Sequence, residues 1–157
     1  MRYNEKELRA LSRQPAELAA ELGMRGPKKG SVLKRRLLKL VANFLFYFRT
    51  DEAETAPCVL PQPVGALLLE RCVVSQEEAC SFSLSFVEDM DRKYVFQCDS
   101  ERQCLEWTGA LRRASYEVMR RSLVFYRDEI LKMTGKDPLE QLGISEEARF
   151  QLSAIKA

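Results

Sequence analysis

Two hydrophobic rhythms run along this chain, and the place where one replaces the other divides it. Between Val32 and Phe48, apolar residues in "VLKRRLLKLV" and "FLFYF" fall into the two-residue period of strands. Ala42-Asn43 sits between these runs as a tight-turn pair, so the segment predicts an antiparallel hairpin. "GALLLERCVV", "SFSLSFV" and "KYVFQC" predict further short strands, joined by polar turns at 75–78 and 88–92. Strands this short and this regular predict a small antiparallel barrel or sandwich. From Ser100 the period lengthens. Cys104, Trp107, Leu111, Ala114 and Val118 recur at spacings of three and four, behind a capping box made by Ser100 and Gln103. The rhythm continues through Met119, Leu123, Tyr126, Ile130 and Met133, which predicts helix to a stop near Gly135. Gly109 inside it costs about 1 kcal/mol relative to alanine, so close packing is expected there.

The flanks and connections are plainer. Asn4 with Glu7 has capping-box spacing and predicts a helix over 4–13, interrupted by Pro15. "AELAAELG" then reads locally as helix with Gly23 as its stop. Residues 49–64, "RTDEAETAPCVLPQPV", hold prolines and acids without periodicity and predict a loop. Asp137 caps a short helix beginning at Pro138, and Ser145 begins a last one.

Composition removes several functions. The sequence has no histidine, which excludes His-based acid–base catalysis, Ser-His-Asp and Cys-His nucleophiles and most zinc sites. The five cysteines, Cys58, Cys72, Cys80, Cys98 and Cys104, are odd in number and lack a C-x-x-C pair, so an intracellular chain with reduced thiols is expected. The acids Glu77-Glu78 and Glu88-Asp89-Asp91 have no ligand spacing, so neither a metal site nor a cofactor is expected. No apolar run reaches the roughly 20 residues that span a bilayer, and "MRYNEKELRAL" lacks the apolar stretch of a signal peptide.

Net charge is only +2, yet residues 25–39 hold seven cations and no acid. This is a local patch, not a generally basic protein. The two-residue period puts Lys34, Arg36, Leu38 and Leu40 on one face, so two cations converge at one end of a face whose other end is core. Tyr47 alternates with Leu45 onto the matching face and can donate its hydroxyl. Gly26 and Gly30 let the intervening loop fold close around a ligand. Arg35 and Lys39 point to the opposite face. A phosphate cradle fits this layout, and so does a solvated edge that discourages strand pairing. A nuclear-import signal fits less well because half the stretch is strand. A nucleic-acid partner is not expected, because no aromatic residues interleave with the cations.

Strands followed by a helix with one tryptophan resemble the pleckstrin-homology (PH) family. "LKRRLLKL…FLFYF" resembles its W-K-x-R-x-F-x-L…L-x-Y-Y/F, with Leu33 in place of the tryptophan. "PVGALLLERCVV" resembles P-x-G-x-I-x-L-x-x-C-x-V, and "KYVFQCDSERQCLEWTGAL" resembles Y-x-L-x-A-x-S-x-x-E-x-x-x-W-x-x-A-L, with Trp107 as the signature tryptophan. The likeness covers roughly Glu21 to Ser115. It implies an α+β, mainly β fold: a seven-stranded bent antiparallel barrel capped by a helix, with extra N- and C-terminal helices. It also turns "AAELGMRG" into the first strand against its helical propensity. The implied division is 1–17 as helical flank, 18–116 as the domain and 117–157 as helical extension.

The same likeness carries over a phosphoinositide site: Arg25, Lys29, Lys34, Arg36 and Tyr47, with Lys28, Arg35 and Lys39 as auxiliary membrane contacts. Val64 stands where members selective for 3-phosphorylated inositides often carry a cation, and Asp51, Glu52 and Glu54 would repel phosphates if their loop overhangs the mouth. The expected function is a non-enzymatic, cytoplasmic adaptor. It would bind phosphoinositide headgroups or anionic membrane transiently, at the plasma membrane or endosomes, in signalling or membrane traffic. The alternative is a protein-interaction module whose partner docks on the long C-terminal helix.

Overall fold

In the computed structural model, residues 4–50 and 61–148 are described. Alternation along the central hairpin sets its sheet. Strands β2 (Lys34–Val41) and β3 (Phe44–Arg49) pair antiparallel through the register Leu38↔Tyr47 and Leu40↔Leu45, and the inward Leu38, Leu40 and Leu45 are fully buried. The remaining strands are β1 (Leu18–Arg25), β4 (Gly65–Leu68), β5 (Cys72–Glu78), β6 (Ser81–Phe86) and β7 (Asp89–Gln97). All pair antiparallel in one seven-stranded sheet of order β4-β3-β2-β1-β7-β6-β5. Helix α2 (Glu101–Arg113) packs on β5 and β6. Its Trp107 and Leu111 are 1% exposed and join a core to which every strand contributes. Arg112 of α2 donates to the Val74 carbonyl of β5 at 3.1 Å, joining the helix to that sheet edge.

The strand assignment of the "AAELGMRG" region holds. β1 runs beside β2 from Leu18↔Leu40 to Met24↔Lys34 and beside β7 at its other edge, and backbone pairing on both sides outweighs a helical propensity worth tenths of a kcal/mol per residue. Gly23, locally a helix stop, is a strand residue lying against Leu33 and Gln97.

β3 is apolar at nearly every position because it is covered on both faces. Leu45 and Tyr47 turn inward, while Phe44, Phe46 and Phe48 form a second cluster under helix α1 (Glu5–Ser12), which contributes Leu8 and Leu11. Asn4 and Glu7 complete the expected capping box. At the other end of α1, Lys39 Nζ donates to the Ser12 carbonyl at 2.8 Å and stands 5.8 Å from the Phe48 ring centroid.

Several expectations are corrected. "GALLLERCVV" is two strands, β4 and β5, separated at Arg71, whose φ is 53°. Residues 75–78 and 89–92, expected in turns, are strand instead, with tighter turns at Ala79-Cys80 and Val87-Glu88. The polar residues stay in the sheet because they have cross-strand partners: Glu77 takes Lys93 Nζ at 2.8 Å and Ser83 Oγ at 2.8 Å. No close packing demands Gly109; a Cβ there would meet only the flexible Arg113 guanidinium. The single helical run to Gly135 is broken at Ala114-Ser115, where the spacing of apolar positions happens to carry across the break.

That break separates two compact units, residues 1–115 and 116–157. In the second, α3 (Tyr116–Thr134) meets α4 (Pro138–Gln141). Arg127 and Asp137 form a largely buried ion pair at 2.9 Å, and Leu139 is buried. Ser145 Oγ accepts from the Ala148 N–H, as expected at a helix start; residues beyond 148 lie outside the described residues. So do 51–60, and with them most of the expected 49–64 loop, its acids and Cys58.

Candidate functional site

Where β1 and β2 separate, the chain crosses through residues 26–33 and leaves a concave space over the inward ends of β2 and β3. A cavity of ≈ 370 Å³ opens there. Lys34 and Arg36 reach it from β2, two positions apart and therefore about 7 Å apart along the strand. Tyr47 reaches it from β3 and Tyr94 from β7, and Lys28 and Ser31 from the connection. Met24, Pro27 and Val32 supply apolar wall. Among the described residues, three cations and three hydroxyls thus face one space, and no carboxylate lines it.

These cations are uncommitted: among the described residues, the side chains of Lys28, Lys34 and Arg36 have no hydrogen bond or ion pair. The tyrosines are held firmly. Burial pushes the Tyr47 hydroxyl above its ordinary pKa, the nearby Tyr94 adds to that, and Arg92 and Arg36 oppose it. Arg92 Nε donates to Tyr94 Oη at 3.4 Å, and its guanidinium lies 4.6 Å from the Phe86 ring centroid. Tyr47 crosses Gly65 of β4 so closely that a Cβ there would lie 2.1 Å from the hydroxyl oxygen. The Tyr47 phenol therefore remains a neutral donor at neutral pH, beside cations that balance an anion.

Of the five residues expected to form the site, Lys34, Arg36 and Tyr47 come together. Arg25 and Lys29 do not line the cavity. Met24 is the inward residue at the end of β1, so alternation turns Arg25 to the other face. Lys28, expected as an auxiliary membrane contact, takes the loop position instead of Lys29. Arg35 and Lys39 lie on the opposite face, as alternation predicts, and both are engaged there. Arg35 holds Asp99 through two hydrogen bonds of 3.1 and 3.2 Å and Glu21 at 3.7 Å, while Lys39 binds α1. Hydrogen bonding to Asp99 raises the Arg35 pKa, and the same contact lowers that of Asp99. Tyr94 was missed by sequence reading, although its alternation with Phe96 on an inward strand face was the available signal.

Comparison with known proteins agrees with this architecture. The PH domain family model matches residues 20–116. Pleckstrin homology domain-containing family J member 1 of Homo sapiens is 76% identical over 100% of both chains, and that of Bos taurus is 74% identical over 100% of both. Among solved structures, the C-terminal PH domain of pleckstrin in complex with D-myo-Ins(1,2,3,4,5)P5 is similar at 25% identity and a TM-score of 0.51, over 63% of this chain and 97% of that one. Sheet order, the buried helix tryptophan, the family match and full-length relatives all agree: this chain belongs to the PH domain family.

Proposed function

We propose that the cavity binds the phosphorylated inositol headgroup of a membrane lipid, making the protein a non-enzymatic, peripheral adaptor of anionic membranes. The observation that carries this reading is the set of Lys28, Lys34 and Arg36, unpaired among the described residues, around one space that no described carboxylate lines. Phosphate oxygens there would take charge-assisted bonds from the cations and neutral bonds from Tyr47 and Tyr94. The inositol-phosphate complex of the similar pleckstrin domain supports the same ligand class. Long-range attraction of the basic face to an anionic leaflet adds about 1 kcal/mol per cation near the surface. Traffic on endosomes or signalling at the plasma membrane are the settings such an adaptor would serve.

Co-sedimentation with phosphatidylcholine vesicles, with and without phosphoinositide, tests this. Lys34→Ala/Arg36→Ala should lower binding at least tenfold, since two charge-assisted contacts are worth about 1.5–3 kcal/mol each. Raising salt several-fold should weaken wild-type binding. Wild type that ignores phosphoinositides, or a double variant that binds equally well, overturns the proposal.

One feature favours a second reading, a protein partner docking on α3. None of its residues is buried, and Tyr116, Met119, Leu123, Tyr126, Ile130 and Met133 are exposed at alternating spacings of three and four. Loss of a partner on removal of 120–157, with vesicle binding retained, would support it.

A further inference from the structure

Ser31 lies among the cavity's cations. It lines the same space as Lys28, Lys34 and Arg36, in the 26–33 connection, which has no strand pairing of its own. Its hydroxyl donates to the Lys28 carbonyl at 2.6 Å and its N–H to the same oxygen at 3.1 Å, so a local turn holds it in place. Gly30, with φ of 78°, permits that turn.

The residues around it form a recognisable chemical pattern. Lys28 and Lys29 precede the hydroxyl by three and two positions, and Val32, 69% exposed, follows it. An enzyme groove with carboxylates for the two lysines and an apolar pocket for the valine would seat this segment. Nothing among the described residues binds the lysine side chains in competition.

We propose that Ser31 is a phosphorylation site for a basophilic serine kinase, and that its phosphate turns into the cation cavity and closes it to headgroups. The second half rests on the phosphoinositide reading above. In the transfer, Ser31 Oγ attacks the γ-phosphorus of ATP and its proton passes to the kinase's base. The bond from that phosphorus to the β–γ bridging oxygen breaks, and ADP leaves. The new group carries about −1.5 to −2 charge and three acceptor oxygens, the chemistry of one headgroup phosphate, tethered to the site wall. Lys34 and Arg36 would meet it as they would a lipid phosphate, without the entropic cost of capturing a free ligand.

The test begins with the full chain, a cAMP-dependent-type kinase and ATP. Phosphate should appear on Ser31 by peptide mapping, and Ser31→Ala should lack that peptide's label. Phosphorylated wild type should bind phosphoinositide vesicles about tenfold or more weakly than unmodified protein, while kinase treatment should not change the binding of Ser31→Ala. A readout independent of any membrane is the phosphoserine ³¹P shift. Its second ionisation should fall below the ordinary value of about 6 and return towards it in Lys34→Ala/Arg36→Ala. No label at Ser31, an ordinary titration, or undiminished vesicle binding by the modified protein each overturns the proposal. Wild type that never binds vesicles refutes the headgroup reading alone, and the titration then decides whether the phosphate enters the cavity.

Discussion

Tyr47 lies across Gly65, and this contact shows how far the site depends on single atoms. The two residues pair directly between β3 and β4, and a Cβ would sit 2.1 Å from the hydroxyl and 2.3 Å from Cζ. Gly65→Ala should therefore displace the ring, lower stability by about 1–3 kcal/mol and weaken headgroup binding. In a Tyr47→Leu background the same substitution should cost far less, so a double-mutant cycle in denaturant will be strongly non-additive; additivity would mean the contact is not real. The thiols of Cys98 and Cys104 are packing residues by comparison. Burial pushes Cys98 up to about 12, with Cys104 beside it. Cys98 should accordingly resist iodoacetamide at pH 8 in the native protein and label once the chain is unfolded, as mass spectrometry would record. Rapid native labelling would contradict its burial.

At the scale of elements, cross-links between neighbours keep the cavity's framework in place. Arg35 of β2 reaches Asp99, the residue just ahead of the Ser100 cap of α2, while Gln103 accepts from the Asp99 N–H at 2.8 Å. Hydrogen bonding to Arg35 holds the Asp99 carboxyl below its usual value. A depressed carboxyl adds stability that is fully present above the unfolded value and is lost as pH falls through the folded one. Asp99→Asn should then lower stability at neutral pH and flatten part of its fall below about pH 4, measured by urea unfolding across pH. Unchanged pH dependence would show the pair to be too solvated to matter. The salt link is exposed, so the effect will be small.

Across the whole molecule, the boundary at Ser115 is the consequential feature. Every member of the main core lies between residues 22 and 114, and α1 covers the second cluster, so residues 1–115 hold both apolar clusters of the sheet. A chain ending at 115 should fold, show dispersed amide NMR signals and keep its vesicle binding. An unfolded product would mean that the second unit is structural and would remove the main support for α3 as a docking helix.

Much of this was legible beforehand, and the failures have physical causes. Two-residue alternation located β2, β3 and the convergence of Lys34, Arg36 and Tyr47, because pleat geometry is local and invariant. The caps at Asn4, Ser100 and Asp137 were equally local. Arg25 and Lys29, carried over from the family likeness, do not line the cavity, because alternation turns Met24 inward at the end of β1 and Lys28 takes the loop position. The break at Ala114-Ser115 was invisible because helical spacing continues through it. β5 was cut short because Glu77 looked solvated until Lys93 and Ser83 supplied its partners.

What the sequence determined by itself was therefore period, caps, absence of histidine and the concentration of charge, all properties of neighbouring residues. Tertiary structure alone decided that Lys28 shares a space with Lys34 and Arg36, that Tyr94 joins them, that Gly65 makes room for Tyr47, and that Ser31 stands in their midst. Those outcomes depend on contacts between strands far apart in the chain, and no local pattern encodes how such strands close around a cavity.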